Sequence, residues 1–220
     1  NQTVSVRLLS QDDKSLLNQF LASSHLLPSQ TPAWQEAIET AFDHKSMWVG
    51  AFDNDQRLQG VIGITVIDSP LFGRYGVSTP FLNYGGVVSV YRDVHDAIFH
   101  FLPTILAEFR LAHIEIRSLE PDLWPVVSTK KVGMIRELPA SLDVLDSDLG
   151  DKVRGQCKKA QEWNPDIRCG GVELLPDFYR VFSENMRDLG TPVYSKRWFQ
   201  AILNHPDIDA HLVVVYRHHK

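Results

Sequence analysis

Residues 151–195 read DKVRGQCKKAQEWNPDIRCGGVELLPDFYRVFSENMRDLGTPVYS, and this stretch divides the chain. Its first part has helical spacing: Val153, Cys157 and Ala160 recur at i, i+4 and i+7 and share one face. That face is expected to pack inward. Arg154 and Lys158 are neighbours one turn apart on its border. Like charges at that spacing repel mildly, so an anion between them is favoured. The planar guanidinium suits phosphate because it can bind two oxygens at once; a solvated helix face would give the same pattern. Gly155 costs about 1 kcal/mol relative to alanine inside a helix, which makes sense if some group approaches the backbone there. The stretch closes on a loop of turn-formers and polar groups, Asp188 to Ser195. The residues before the stretch read as one complete domain, and those after Arg168 as the start of a second.

Two motifs carry a resemblance. One is Arg154-Gly-Gln-Cys-Lys-Lys-Ala together with VFSENMRDLGTPVYSK at 181–196; the other is VSTPFLNYGGV at 77–87. Both resemble the FemAB family, the peptidoglycan-bridge aminoacyltransferases and their relatives, and most closely the branch associated with exopolysaccharide and PEP-CTERM loci. With weaker similarity between the motifs, the resemblance covers nearly the whole chain. It implies an α+β chain of two GNAT-like N-acyltransferase domains in tandem, with a substrate cleft in the first and near their junction. It also implies transfer of an aminoacyl or acyl group to an amine of a cell-envelope or exopolysaccharide precursor. In the peptidoglycan members the donor is aminoacyl-tRNA, and an arginine of the basic helix binds the precursor's phosphates, a role that falls here on Arg154. A lysine follows the tryptophan of the second helix in those members. Here Gln35, Glu36, Ala37 and Ile38 follow Trp34, a departure that weighs against a peptidoglycan substrate.

At 220 residues, 44% hydrophobic and 22% charged, the composition is that of an ordinary globular protein of one or two domains. A net charge of −5 argues against DNA or general nucleic-acid binding, though not against a local basic groove. The two cysteines, Cys157 and Cys169, have no metal-like spacing and fit a reducing compartment. No apolar run approaches a membrane span, and no signal peptide opens the sequence, so it reads as soluble and cytoplasmic.

In order, Thr3 to Leu9 reads as a strand, and Ser10 with Asp13 as a capping-box-like helix start. Leu16, Leu17, Phe20 and Leu21 form a helical stripe. Thr31-Pro32 starts a second helix whose inner face is Trp34, Ala37, Ile38, Ala41 and Phe42. Met47–Phe52 and Leu58–Ile67 read as a hairpin, and Leu71 to Gly76 as a loop. Val77 to Val90 reads as a strand interrupted at Pro80 and at Gly85-Gly86, with Asn83 and Tyr84 facing a cleft. Asp93 to Leu111 is the clearest helix, with Pro103 expected to kink or break it. His113–Ser118 reads as a buried strand, Pro121–Val127 as a short helix or turn, and Met134–Leu138 as a strand. Ile167–Leu174 follows as a strand, then a helix from Leu175, another capped by Ser195, and a strand Leu212–Tyr216 whose Val213-Val214-Val215 suggests burial on both faces.

There is a repeat at the level of pattern. Val6 and Val49 are separated by the same distance as Val172 and Val215, each time with two helices between, and the second helices follow Thr31-Pro32 and Thr191-Pro192. The expected domains are therefore 1–140, a linker with the basic helix at 141–166, and an incomplete second copy at 167–220. This predicts a part of a longer protein with little transferase activity alone, self-associating through the edge of Leu212–Tyr216 unless that edge is covered.

A GNAT domain that uses acyl-CoA cradles its pyrophosphate on amides of a Gly-rich turn at a helix start. The corresponding turn, Val88 to Asp93, has no glycine, and Asp93 places a negative charge there. That favours an aminoacyl or other acyl donor over acetyl-CoA. No Ser-His-Asp or Cys-His arrangement is convincing, Cys157 reads as a buried structural thiol, and no histidine pair has metal-ligand spacing. The catalytic group stays unassigned. The candidate substrate-binding residues are Asn83, Tyr84, Gly85, Arg154, Lys158, Arg187 and Tyr194, with capping and packing at a helix C-terminus as the alternative for the last two. No bound cofactor or metal is expected, the donor being aminoacyl-tRNA or acyl-CoA and the partner a phosphate-bearing envelope precursor. The alternatives are an acyl-CoA-dependent GNAT N-acyltransferase and a non-catalytic phosphosugar-binding or assembly module.

Overall fold

The computed structural model describes residues 4–119, 124, 126–128 and 134–217. The first strand, β1 (Ser5–Leu8), ends where the Ser10 amide and hydroxyl both donate to the Asp13 carboxylate, at 2.7 and 2.9 Å. A turn over Gln11–Asp13 then leads into α1 (Lys14–Ser23), which buries Leu17 and Leu21. Helix α2 (Pro32–Phe42) starts on a proline, whose missing N–H costs nothing at that position, and ends on Asp43 in the left-handed region at φ 60°.

Strands β2 (Lys45–Phe52), β3 (Leu58–Ser69) and β4 (Gly73–Val77) form an antiparallel meander on which β1 pairs with β2. Helix α3 (Arg92–Phe109) crosses back to β5 (Ile114–Glu115), which lies parallel to β4, giving the order β1-β2-β3-β4-β5. One face of this sheet packs Val49, Ala51, Ile62, Ile64 and Val66 against Val94, Ile98, Leu102 and Ile105 of α3. The other packs Phe52, Leu58 and Val61 against Leu17 and Leu21 of α1. Each fully buried aliphatic side chain is worth about 1.5–3 kcal/mol, so these stripes hold the layers together.

Several elements differ from the sequence reading. Residues 73–77 are strand rather than loop, because β3 is long enough to template its partner as far as Ser69 and Gly73. Helix α3 runs through Pro103 without ending there. The expected strand at 113–118 shrinks to two residues, half-buried and exposed. Residues 134–138 are not a strand, with Met134, Ile135 and Leu138 exposed. The expected turn at 121–127 falls largely outside the described residues.

The remaining elements are α4 (Leu142–Asp148), α5 (Asp151–Gln161), β6 (Asp166–Gly170), α6 (Leu175–Asp188), α7 (Lys196–Asn204) and β7 (Leu212–Tyr216). The chain forms two compact units: Asn1–Val126 with Tyr194–Asp209, and Val127–Val193 with Ala210–Lys220. In the first, α7 packs on α2 through Ala37, Ile38, Ala41, Trp198 and Ala201. In the second, β6 pairs antiparallel with β7, and α6 packs on β7. Burial of Val213, Val214 and Val215 on both faces does not occur. Leu212 and Val214 are buried, whereas Val213 and Val215 are 60% and 62% exposed, since a helix covers only one side of this two-stranded sheet.

The repeat is real at the level of register, though not where the Thr-Pro pairs place it. Strand β1, the turn Gln11–Asp13 and α1 have as counterparts β6, the turn Val172–Leu174 and α6. Val172 thus belongs to the turn rather than the strand. Arg7 lies over the Phe52 ring at 4.4 Å, and its counterpart Arg168 lies over the Tyr216 ring at 4.6 Å. In the second helices, Trp34, Ala37 and Ile38 correspond to Trp198, Ala201 and Ile202, so the counterpart of Thr31 is Ser195.

Candidate functional site

The site begins where β4 leaves β3. Thr65 pairs with Val77, and the next bridge joins Val61 to Val88. Residues 78–87 therefore stand opposite only residues 62–64 and must bulge out of the sheet. Thr79 and Phe81 take left-handed backbone at φ 51° and 68°, which is uncommon for non-glycine residues and rare for a β-branched one. Gly85 is required by close approach: a Cβ there would stand 1.8 Å from the Thr79 hydroxyl oxygen.

This bulge is held by its own backbone. Buried Ser78 donates its amide to Glu115 O at 2.9 Å and accepts from the Arg117 amide at 2.9 Å. Arg117 donates Nη1 to Leu82 O at 2.6 Å and accepts the Gly85 amide at 2.7 Å. From the segment between α1 and α2, the Ser29 hydroxyl donates to Tyr84 O at 2.7 Å and Gln30 Nε2 to Gly86 O at 3.0 Å. Asn83 is exposed and Tyr84 half-buried. Neither side chain makes a hydrogen bond among the described residues, so both are free to meet a ligand.

Phe81 fixes the other end of the bulge. Its ring stacks on Phe42 at 4.3 Å, lies 5.8 Å from Trp198 and meets Tyr194 edge-on at 5.7 Å. Tyr194, singled out in the sequence with Asn83, Tyr84 and Gly85, is thereby brought to the same loop. His44 stacks on Phe42 in this cluster, and burial pushes its imidazole below the ordinary value against the pull of Asp43 and Asp68.

The basic helix belongs to the second unit. The inward face expected for Val153, Cys157 and Ala160 is absent: α5 buries no residue, and Cys157 is exposed. Three small apolar groups among four cations offer too little area to drive burial. Arg154 is the partly shielded member. Its Nη1 donates to Asp146 O and Ser147 O at 3.2 and 3.4 Å, and its Nη2 to Asp151 Oδ1, so the guanidinium caps the end of α4. Lys158 is exposed and forms no ion pair among the described residues. A Cβ on Gly155 would meet nothing within 4 Å, so no group of this chain needs the glycine. Arg187 pairs with its neighbour Asp188 at 3.0 Å. Gly190, left-handed at φ 66°, ends α6, with Thr191 N donating to Met186 O at 2.9 Å.

At the start of α3, where a pyrophosphate would be cradled, two of the amides are committed. Tyr91 N donates to Ser89 Oγ at 3.2 Å and Val94 N to Asp93 Oδ1 at 3.0 Å. The His95 ring closes back on Ser89 O at 3.1 Å. Among the described residues no group of side chains could hold a metal ion, and no helix is long and apolar enough to cross a membrane.

No family model matches the sequence, and no curated protein matches it. Among solved structures the chain is similar to FemX, with a TM-score of 0.58 at 15% identity, over 96% of this chain and 57% of that one. It is also similar to a ribosomal-protein-alanine N-acetyltransferase from Brucella melitensis biovar Abortus 2308, with a TM-score of 0.42 at 16% identity over 62% of this chain and 99% of that one. A GNAT family acetyltransferase from Staphylococcus aureus subsp. aureus USA300_TCH1516 gives a TM-score of 0.40 at 14% identity, again over 62% of this chain and 99% of that one. The fold is thus like that of FemX, a mixed α/β arrangement. The chain spans little more than half the length of FemX.

Proposed function

We propose that this chain works as a FemAB-like transferase, attaching an aminoacyl or other acyl group to an amine of a phosphate-bearing cell-envelope or exopolysaccharide precursor. In this reading Asn83, Tyr84 and Tyr194, presented by the Gly85 bulge, hold the acceptor. Arg154, Lys158 and Arg187, carried by the second unit, are candidates in their own right for binding phosphate. The observation that carries the reading is the bulge itself: a strained, backbone-anchored loop where β4 leaves β3, inside a fold shared with FemX. Strain held by surrounding bonds is the signature of a preorganised site.

The chemistry is acyl transfer. A neutral amine attacks the carbonyl carbon of an ester or thioester, a C–N bond forms, and the C–O or C–S bond breaks after the amine has lost its proton. The oxyanion formed on the way is steadied by polar groups of the site. Aminoacyl-tRNA is favoured as donor over acyl-CoA, because the α3 turn lacks glycine and its Tyr91 and Val94 amides already have acceptors. Arg154 reaches a phosphate only by giving up its hold on α4, whereas Lys158 is available as it stands.

Calorimetric titration with a UDP-sugar tests the acceptor site. Replacing Arg154 by alanine is expected to weaken binding by about 1.5–3 kcal/mol, the range for charged hydrogen bonds. Asn83→Ala and Tyr84→Phe should each weaken it without lowering the melting temperature. Unchanged affinity in all three variants refutes the acceptor assignment. Incubation with aminoacyl-tRNA or with acyl-CoA then identifies the donor.

A further inference from the structure

The apolar stripe of α2, Trp34, Ala37, Ile38 and Ala41, faces α7 and the Phe81 cluster. The opposite side of the same helix carries Pro32, Gln35, Glu36 and Glu39, at i, i+3, i+4 and i+7. Those four line a cavity of about 210 Å³. Its other walls come from α1, β2 and the end of β1, with Leu9, Leu17 and Trp48 as the apolar surface.

Gln35 is the anomaly in this cavity. It is a polar side chain only 4% exposed. Its carboxamide fits where Gly63 of β3 has no side chain: a Cβ there would stand 2.5 Å from Nε2 and 3.3 Å from the Trp48 ring. Nε2 donates to Met47 O at 3.4 Å, a long bond. Because Met47 O only accepts, the nitrogen must face it and the oxygen is turned away. That Oε1 receives no hydrogen bond among the described residues. Leucine or methionine would fill the same hollow without a stranded acceptor, and a buried acceptor without a donor is unfavourable.

One turn further along α2, exposed Glu39 accepts the Ser46 amide at 2.7 Å through Oε1. It forms no ion pair among the described residues. The other carboxylates of the cavity are engaged: Asp13 by Arg7 at 2.7 Å, and Glu36 by Lys14 at 3.6 Å and His205 at 3.2 Å. The cavity thus offers two acceptors a helical turn apart, one neutral and buried, the other charged and exposed, beside an apolar wall.

We propose that this cavity binds a primary ammonium group carried on a short apolar stem. An ammonium brings three donors and no acceptor, so it can bridge Gln35 Oε1 and the Glu39 carboxylate while its stem lies against Leu17 and Trp48. Beside a carboxylate the amine keeps its proton, so it is not a nucleophile here. The cavity is a binding site on the side of α2 away from the bulge, and it stands apart from the transferase reading.

Titration of the nitrogen-15-labelled chain with n-butylammonium tests this. The readouts are the Gln35 carboxamide and Trp48 indole signals, assigned by their loss in Gln35→Leu and Trp48→Phe. Both signals should shift saturably. Glu39→Gln, which keeps an acceptor for the Ser46 amide and removes the charge, should weaken binding about tenfold or more, the weight of one charged hydrogen bond. Gln35→Leu, followed through the indole, should also weaken binding without lowering the melting temperature. Should that variant fail to fold, Glu39→Gln, at an exposed position, decides. Two probes separate the parts of the ligand: n-butanol has the stem without the charge, and tetramethylammonium the charge without donors. Each should bind more weakly than n-butylammonium by about tenfold or more. The proposal is overturned if n-butylammonium gives no saturable shift, or if either Glu39→Gln or a folded Gln35→Leu binds it as tightly as the parent. It is overturned too if n-butanol matches it, which leaves an apolar crevice only, or if tetramethylammonium does, which leaves unspecific charge attraction only.

Discussion

Trp34 and Trp198 are counterparts in two copies of one helix, and their rings meet with centroids 6.1 Å apart. Each copy contributes the same Trp-x-x-Ala-Ile pattern, and the two helices bury Ala37, Ile38 and Ala201 against one another. The small residues let the helices approach while the tryptophans fill the space at the contact. Trp198, 3% exposed, is therefore a core residue of the first unit although it lies far along the sequence. Trp198→Ala is expected to destabilise that unit by about 3–5 kcal/mol, the range for truncating a buried aromatic. Urea unfolding followed by circular dichroism would show it; a loss below about 1 kcal/mol, well under that range, would mean that α7 is not docked on α2 in solution.

Gly85 is the tightest point of the bulge. In Gly85→Ala the new methyl collides with the Thr79 side chain, whose Oγ1, Cβ and Cγ2 all lie within 2.8 Å of the Cβ position. Overpacking of this kind costs about 1–3 kcal/mol. Thr79→Gly removes the obstacle and suits the left-handed backbone at φ 51°. The double variant should be more stable than the sum of the single effects by about 1 kcal/mol or more. Additive effects would show that the two residues do not touch.

Much of this architecture is legible in the sequence. The stripe of α3 is, because Val94, Ile98, Leu102 and Ile105 keep one period and all end up buried. The break in the strand after Val77 is, because Pro80 has no N–H for the ladder and the paired Gly85-Gly86 weakens a strand. The anchors of that break are not. Ser29, Gln30 and Arg117 bind backbone carbonyls, and a carbonyl has no sequence signature. The place of α7 is hidden because chain order assigns it to the second half, whereas the Trp34–Trp198 contact is long-range. The apolar positions of α5 and the valines of β7 read as buried on periodicity and run length alone. Burial requires an element to pack against, and α6, which packs on β7, leaves Val213 and Val215 exposed.

The Phe81 cluster should behave as a positioning device for the loop. Phe81→Ala removes the ring that touches Phe42, Trp198 and Tyr194, and releases a non-glycine residue held at φ 68°. Asn83 and Tyr84, the side chains proposed to meet the acceptor, remain, so any loss of UDP-sugar binding reports loop order rather than lost contact. Affinity is expected to fall while Phe81→Leu, which keeps bulk in the cluster, restores most of it. If Phe81→Ala binds as tightly as the parent chain, the loop does not depend on the cluster.

Asp13 makes the start of α1 sensitive to acid. Hydrogen bonds from Arg7, at 2.7 Å to each oxygen, and from the Ser10 amide hold its carboxyl far below the usual carboxylate range. A folded-state value below the unfolded one means that the stabilisation is complete above the unfolded pKa of about 3.9 and is lost as pH falls towards the folded value. Protonation would cost the Arg7 ion pair and the turn that aligns β1 with α1. The parent chain should therefore lose unfolding free energy between about pH 5 and pH 2, the window below the unfolded carboxylate value. Asp13→Asn, already lacking the charge, should start lower at about pH 7 and lose less across the same window. Urea midpoints measured at several pH values for both chains compare the two slopes directly, and parallel slopes would show that Asp13 is not the acid-sensitive group.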